Sequence, residues 1–220
     1  MIEVLPDRQT VQTATQILQQ QGLPTHLTPQ KNWDQALLAQ LLEPIDRQAA
    51  ILDMGCGDCC TLDFLAALGF TSLHGIDLQI KDLQADKPES RPYQLSEGDL
   101  MHTPFADRSY EVLTSISVIE HGVDLNAFFA EADRLLKPNG ILYVTTDYWE
   151  TKIPIDSTIK PFGLSWQIFS REEIQQAIDL AEQHGLTPIQ ETAIPACQES
   201  PVSWYSRDYT FIALAFRKVG

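Results

Sequence analysis

Short apolar runs alternate with helix-period segments from residue 50 onward, which is the pattern of an open α/β sheet. Ala50-Ile51-Leu52-Asp53-Met54 is the first run. Gly55-Cys56-Gly57 follows it, then Leu62-Asp63-Phe64-Leu65-Ala66-Ala67-Leu68, closed by Gly69. This predicts a buried strand over 50–54, a tight glycine turn and a helix over about 59–68. Further strands are predicted over 72–77, 93–97, 110–116, 141–146, 187–194 and 208–216. Helices are predicted over 124–136, with Asp124 as cap, and over 172–184. Ser170-Arg171-Glu172-Glu173 reads as a capping box for the second of these. Two helices precede the first strand. One covers 7–22, from Asp7 to Gly22; the other covers 33–43, with Asn32 as its cap and Pro44 as its stop. Lys137-Pro138-Asn139-Gly140 reads as a turn, residues 84–92 as a polar loop, and 147–169 as a long irregular segment of the kind that carries function. Repeats, low-complexity tracts and linkers are not evident, so we expect a single domain over 1–220. Residues 1–48 form an N-terminal helical segment covering the site, and 49–220 form the core.

Composition narrows the chemistry. Hydrophobic residues make up 44% and charged residues 20%, the balance of a globular chain. The formal net charge is −15 and no Lys/Arg cluster interrupts it, which disfavours nucleic acid as a partner. No apolar run approaches the roughly 20 residues of a membrane span. The start, Met1-Ile2-Glu3-Val4-Leu5-Pro6-Asp7, has neither a basic nor an apolar leader region, so the expected location is cytoplasmic. Cys56 and Cys59 have C-x-x-C spacing, but a second Cys or His pair at metal-site spacing is missing. No metal is therefore expected, and the cysteines read as small residues filling a turn.

The strand ends carry the candidate chemistry. Glycines at 55 and 57 let the backbone approach a ligand, and the turn directs helix N–H groups over the strand. Asp77 ends the second strand, where a carboxylate accepts both ribose hydroxyls of an adenosine-containing ligand; its alternative role is to cap a helix from Leu78 onward. Asp99 ends the third, placed to accept from an adenine amino group while the Leu100 amide meets a ring nitrogen.

Five motifs stand in register: Ile51-Leu52-Asp53-Met54-Gly55-Cys56-Gly57; Gly75-Ile76-Asp77; Glu97-Gly98-Asp99 with Pro104-Phe105; Ser117-Val118-Ile119-Glu120-His121; and Leu135-Leu136-Lys137-Pro138-Asn139-Gly140-Ile141-Leu142. Together they resemble the class I S-adenosylmethionine (SAM)-dependent methyltransferases of small molecules, over roughly residues 50–217. The resemblance implies a Rossmann-like, doubly wound, seven-stranded sheet of order 3-2-1-4-5-7-6 with the seventh strand antiparallel. It implies SAM as cofactor, S-adenosylhomocysteine as product, and a cofactor site built from Asp53, Gly55, Cys56, Gly57, Asp77, Leu78, Asp99, Leu100 and Ser117. The family's turn often has a third small residue where this chain has Cys59. The fainter resemblance of Lys31-Asn32-Trp33-Asp34 is to bacterial methyltransferases of saccharide or secondary-metabolite pathways.

The expected reaction is methyl transfer to an oxygen or nitrogen of a small molecule. Positioning supplies most of the acceleration in such a displacement, and His121 is the candidate base for a poorly acidic hydroxyl. The acceptor pocket is expected between 23–34, 148–169 and 196–207, with Trp33, Tyr148, Trp149 and Arg207 as candidates; Lys31, Lys152 and Lys160 are further candidates for an anionic group. Three alternatives stay open: a methyltransferase acting on a protein, a non-catalytic SAM-binding protein, and an NAD-dependent oxidoreductase. The last would favour Gly or Ala at the position of Cys60. Oligomeric state is not legible.

Overall fold

The computed structural model of the chain describes residues 1–80, 91–190, 193–197 and 199–220. Strand β1 (Ile2–Val4) and helices α1 (Arg8–Gln20) and α2 (Lys31–Leu41) come first. There follow β2 (Ala50–Met54), α3 (Cys60–Ala67), β3 (Ser72–Asp77), β4 (Gln94–Glu97), β5 (Tyr110–Ile116), α4 (Leu125–Leu135) and β6 (Leu136–Trp149). Last come β7 (Phe169–Ser170), α5 (Arg171–Gln183), β8 (Leu186–Pro188), β9 (Val202–Trp204) and β10 (Arg207–Lys218).

The strands pair in the order β1-β10-β6-β5-β2-β3-β4. Strands β2 to β6 run parallel, and β10 lies antiparallel to β6. This is the Rossmann-like sheet that the motifs implied. Successive side chains of β2 serve opposite faces. Leu52 and Met54 join Phe128, Phe129, Ile174 and Ile178 of α4 and α5 on one side. Ile51 joins Val11, Leu18, Leu38, Leu62 and Phe64 of α1, α2 and α3 on the other. A strand buried on both faces must read as a continuous apolar run, which is why β2 was legible.

The outer edge differs from expectation. The strand predicted over 187–194 forms as Leu186–Pro188 only, paired with the end of β10; of its predicted remainder, 191–192 lie outside the described residues. Beside it β1 adds to the same edge, from Ile2 opposite Leu214 to Val4 opposite Ile212. Three residues are too few to display a period. What holds β1 is burial of Ile2 and Val4 with Glu3 facing out.

Two local expectations are also corrected. Lys137–Gly140 is a bulge inside β6 and not a turn between elements. Pairing with β5 passes from Tyr110–Leu136 to Val112–Ile141, and Asn139 takes φ +65° to accommodate the extra residues. Asn32 lies inside α2 and does not cap it. Its Oδ1 accepts the His26 N–H at 2.7 Å, and its Nδ2 donates to Thr15 Oγ1 at 3.0 Å. Asn32 thus clasps the segment between α1 and α2 onto α1. Asp7, Asp124 and Ser170 do cap their helices, and both halves of the Ser170–Glu173 box are formed.

The segment after Asp147 is more ordered than its composition suggests. β6 continues to Trp149, β7 pairs beside it, and an Ile153–Ile168 bridge ties its two limbs. The loop read over 84–92 and the alternative helix from Leu78 lie outside the described residues, apart from 78–80 and 91–92.

Candidate active site

The glycine turn sits at the carboxyl end of β2. Gly55 and Cys56 N–H groups both donate to the Ile76 carbonyl, at 2.8 and 3.1 Å, so the turn is stitched to β3. Gly55 has φ +85° and Gly57 φ +47°, a region costly for residues with a Cβ. Their surroundings differ. A Cβ at Gly55 would lie 2.6 Å from Val118 Cγ2, whereas nothing lies within 4 Å of one at Gly57. Gly55 is therefore demanded by packing against Val118, and Gly57 faces open space. Cys59 takes φ 66° just before α3, so the departure from a smaller residue is carried by left-handed backbone.

The acids at the strand ends occupy three environments. Asp53 is buried at 2% exposure and accepts from Thr114 Oγ1 at 2.6 Å. Burial pushes its pKa up to about 7, against the pull of the Thr114 hydrogen bond. Asp77 is half-buried; its Oδ2 accepts the Gly57 N–H at 2.9 Å and its Oδ1 the Gln79 N–H at 3.2 Å. Asp99 accepts the Met101 N–H at 2.8 Å. Leu78 is exposed, while Cys56 and Leu100 are buried. Ser117 follows β5 at φ 55°, and its Oγ accepts from Lys31 Nζ.

Lys31 is the hub of a feature the sequence did not reveal. Its ammonium lies 3.8 Å from the centroid of the Phe211 ring and 3.4 Å from Asp34 Oδ2. Asp34, Glu120 and Asp147 are all buried. Glu120 accepts from Thr146 Oγ1 at 2.9 Å, and Asp147 from Trp166 Nε1 at 2.8 Å. Burial raises Asp34 and Asp147 to about 6 and Glu120 to about 8; the Lys31 charge opposes each shift. These residues are scattered through α2, the loop after β5 and the end of β6, so no spacing announces them. Lys31, a candidate for an anionic group, is paired here with the Asp34 carboxylate. Lys152 is likewise engaged, with Glu173 Oε1 at 2.8 Å.

An aromatic wall covers this cluster. Trp166 packs edge-on to Trp204 at 5.0 Å and to Tyr209 at 6.1 Å, and Trp204 meets Tyr205 at 4.7 Å. Phe162, 81% exposed, stands edge-on to His121 at 5.5 Å. Segments 148–169 and 196–207 are thereby brought together, and Gln30 Nε2 of segment 23–34 donates to the Pro201 carbonyl at 3.1 Å. Of the individual candidates, Trp33 and Tyr148 are buried in the two apolar clusters, Trp149 packs against both, and Arg207 is partly exposed, donating to the Ser206 carbonyl at 3.2 Å. Among the described residues, the buried His121 Nδ1 has no hydrogen-bond partner. Burial, and then the Lys31 charge, lower its pKa to about 4, so the ring is neutral at physiological pH.

The raised carboxyls have a consequence for stability. Asp34, Asp53, Glu120 and Asp147 hold their protons more tightly folded than unfolded. Their contribution is therefore full below the ordinary carboxyl range and is lost as pH rises through about 6 to 8. We expect the thermal midpoint to fall over that window. In Glu120→Gln, which keeps a partner for Thr146, the fall above about pH 7 should be shallower. An equal slope in the variant, measured by circular dichroism, would assign the pH dependence to other groups.

A hollow of about 450 Å³ lies at the other end of the sheet, lined by His74, Tyr93 and Tyr110 among others at the amino ends of β3, β4 and β5. Open α/β sheets bind their ligands outside the carboxyl ends of the strands. The glycine turn and the acids all lie there, so we place the functional end at the turn.

The family model for a methyltransferase domain matches residues 52–144. Over 99 residues the chain is 28% identical to the ubiquinone biosynthesis O-methyltransferase of Pelagibacter ubique, a stretch covering 44% of this chain and 41% of that protein. The chain therefore spans less than half the length of that relative. The Burkholderia thailandensis 1,6-didemethyltoxoflavin-N1-methyltransferase, solved with its acceptor and S-adenosylhomocysteine, superimposes with a TM-score of 0.60 at 15% identity, covering 85% of this chain and 77% of its own. The [4+2]-cyclase SpnF superimposes with a TM-score of 0.65 at 18% identity, covering 99% and 100%. At these identities the structural likeness carries the fold alone.

The sheet and its glycine turn define the Rossmann-like fold class. Within it, residues 52–144 match the family model for a methyltransferase domain, in line with the resemblance of the motifs to class I methyltransferases, whose cofactor is SAM. The chain's own residues fit that cofactor: Gly57 leaves open space above the turn, and carboxylates at three neighbouring strand ends suit a ligand with two positive charges and two ribose hydroxyls. No helix among the described residues is long and apolar enough to cross a membrane.

Proposed function

We propose that this chain transfers a methyl group from SAM to an oxygen or nitrogen of a small molecule. The observation that carries the proposal is the glycine turn hydrogen-bonded to the Asp77 carboxylate, with Gly57 facing open space. When bound, SAM supplies an electrophilic methyl group on a positive sulfonium. Asp77 would hold the ribose hydroxyls in place of the Gly57 N–H. Asp99 and the Leu100 amide would meet the adenine, and Asp53 with Gly55, Cys56 and Gly57 would line the methionine end. Ser117 would lie beneath the cofactor, and Leu78 beside its ribose.

The acceptor would enter between the aromatic wall and Ser117. Trp166, Trp204 and Tyr209 would exclude water there and strengthen electrostatics toward the sulfonium. His121, kept neutral by burial and the Lys31 charge, would accept a hydrogen bond from the acceptor's hydroxyl or amine at a ring nitrogen and so orient it, acting as a weak base at most. The single-domain reading of 1–220, with the helices before residue 48 as cover, belongs to the same proposal.

Calorimetry separates this reading from the oxidoreductase alternative. We expect S-adenosylhomocysteine to bind and NAD to show no heat. Binding of NAD with no response to S-adenosylhomocysteine would overturn the proposal. A second reading, cofactor binding without methyl transfer, rests on fold alone, since one fold hosts unrelated chemistries.

A further inference from the structure

We propose that His26, Asp58 and Cys60 form a binding site for a divalent transition-metal ion, zinc in the first place, on the rim of the glycine turn. One ligating atom from each lies within 4.8 Å of the other two. Ligand atoms around a tetrahedral zinc, bonded at about 2.0–2.3 Å, stand roughly 3.3–3.8 Å apart. The three atoms are thus within about 1.5 Å of ligating separation, a movement that exposed or half-exposed side chains make by rotamer adjustment.

The two halves of the site come from distant parts of the chain and are each anchored. His26 lies in the segment between α1 and α2, where its N–H is held by buried Asn32. Asp58 and Cys60 flank Cys59 at the start of α3, and the Cys60 N–H donates to Asp58 Oδ1 at 3.2 Å. The absence of a second Cys pair near Cys56 and Cys59 is therefore no objection. The histidine arrives through the fold, and the ligating cysteine is the half-exposed Cys60, not the buried Cys56 or Cys59.

The donor set selects the ion. An imidazole nitrogen, a thiolate sulfur and a carboxylate oxygen suit zinc or cobalt, whereas calcium and magnesium take all-oxygen sites. Three protein ligands leave a fourth position for water. Ligation forms a metal–sulfur bond and releases the Cys60 thiol proton to solvent. It also gives up the Cys60 thiol's hydrogen bond to Asp58 and the Thr28 N–H on His26 Nδ1 at 2.9 Å. A metal on Nδ1 takes that lone pair, and a metal on Nε2 requires a proton on Nδ1. The bound ion would staple the segment between α1 and α2 to the glycine turn. This site does not depend on the proposed methyl transfer.

The test is a cobalt(II) titration of the intact chain, stripped with a chelator and kept reduced. We expect a single equivalent to bind with a thiolate-to-cobalt absorption band, and zinc to remove the band by displacement. Cys60→Ser should abolish the band and Cys56→Ser should keep it. His26→Ala should weaken cobalt binding by about tenfold or more, since loss of even an outer-shell partner costs zinc sites about 10–100-fold. No thiolate band in the unaltered chain would overturn the proposal, as would a band undiminished in folded Cys60→Ser.

Discussion

Gly55→Ala is expected to lower the thermal midpoint by about 5–15 °C, given roughly 2–4 °C per kcal/mol for a chain of this size. Two separate penalties combine. The backbone at φ +85° disfavours any residue with a Cβ by about 1–2 kcal/mol. The added methyl would also meet Val118 Cγ2 at 2.6 Å and Cγ1 at 2.7 Å, and overpacking of a fixed site costs about 1–3 kcal/mol. The penalties can be separated in a double-mutant cycle. Val118→Ala in the Gly55→Ala background should recover the steric part and leave the backbone part. Gly57→Ala, with nothing near its Cβ, should cost only the backbone part but obstruct ligand approach. A Gly55→Ala protein as stable as the parent would show that the turn is not packed as described.

Asp77→Ala is expected to weaken S-adenosylhomocysteine binding by about 10²-fold or more. Hydrogen bonds to a charged group contribute about 1.5–3 kcal/mol each, and each 1.4 kcal/mol is tenfold in affinity. The folded chain should tolerate the change, because Asp77 is half-exposed and, among the described residues, gives up only the Gly57 and Gln79 N–H bonds. Asp77→Asn should fall between the two, keeping one acceptor oxygen without the charge. Cofactor affinity unaltered in Asp77→Ala would remove the ribose assignment; a large fall in the thermal midpoint would make Asp77 a structural residue of the turn.

What the sequence disclosed and what it hid follow from range. β2, its glycine turn and the acids at 77 and 99 are local patterns, each set by a few consecutive residues under one constraint. The Ser170–Glu173 box is local too, and the structure forms both halves of it. β1 was hidden because it has no identity without β10 beside it. Asn32 looked like a cap because Asn is a common N-cap residue, but its side chain is held by His26 and Thr15 instead. The gathering of Lys31, Asp34, Glu120 and Asp147 depends on three elements meeting, so no window of sequence contains it. One sign was available: α2 carries Asn32, Asp34 and Gln35 among its buried residues, more polar burial than an ordinary covering helix requires.

The most direct test of the central claim is transfer of label from methyl-labelled SAM into fractionated cell extract by the purified chain. We expect label in the small-molecule fraction, lost in Asp77→Ala and suppressed by added S-adenosylhomocysteine. Label confined to protein or nucleic acid would contradict the small-molecule acceptor. S-adenosylhomocysteine binding with no label in any fraction would contradict methyl transfer itself.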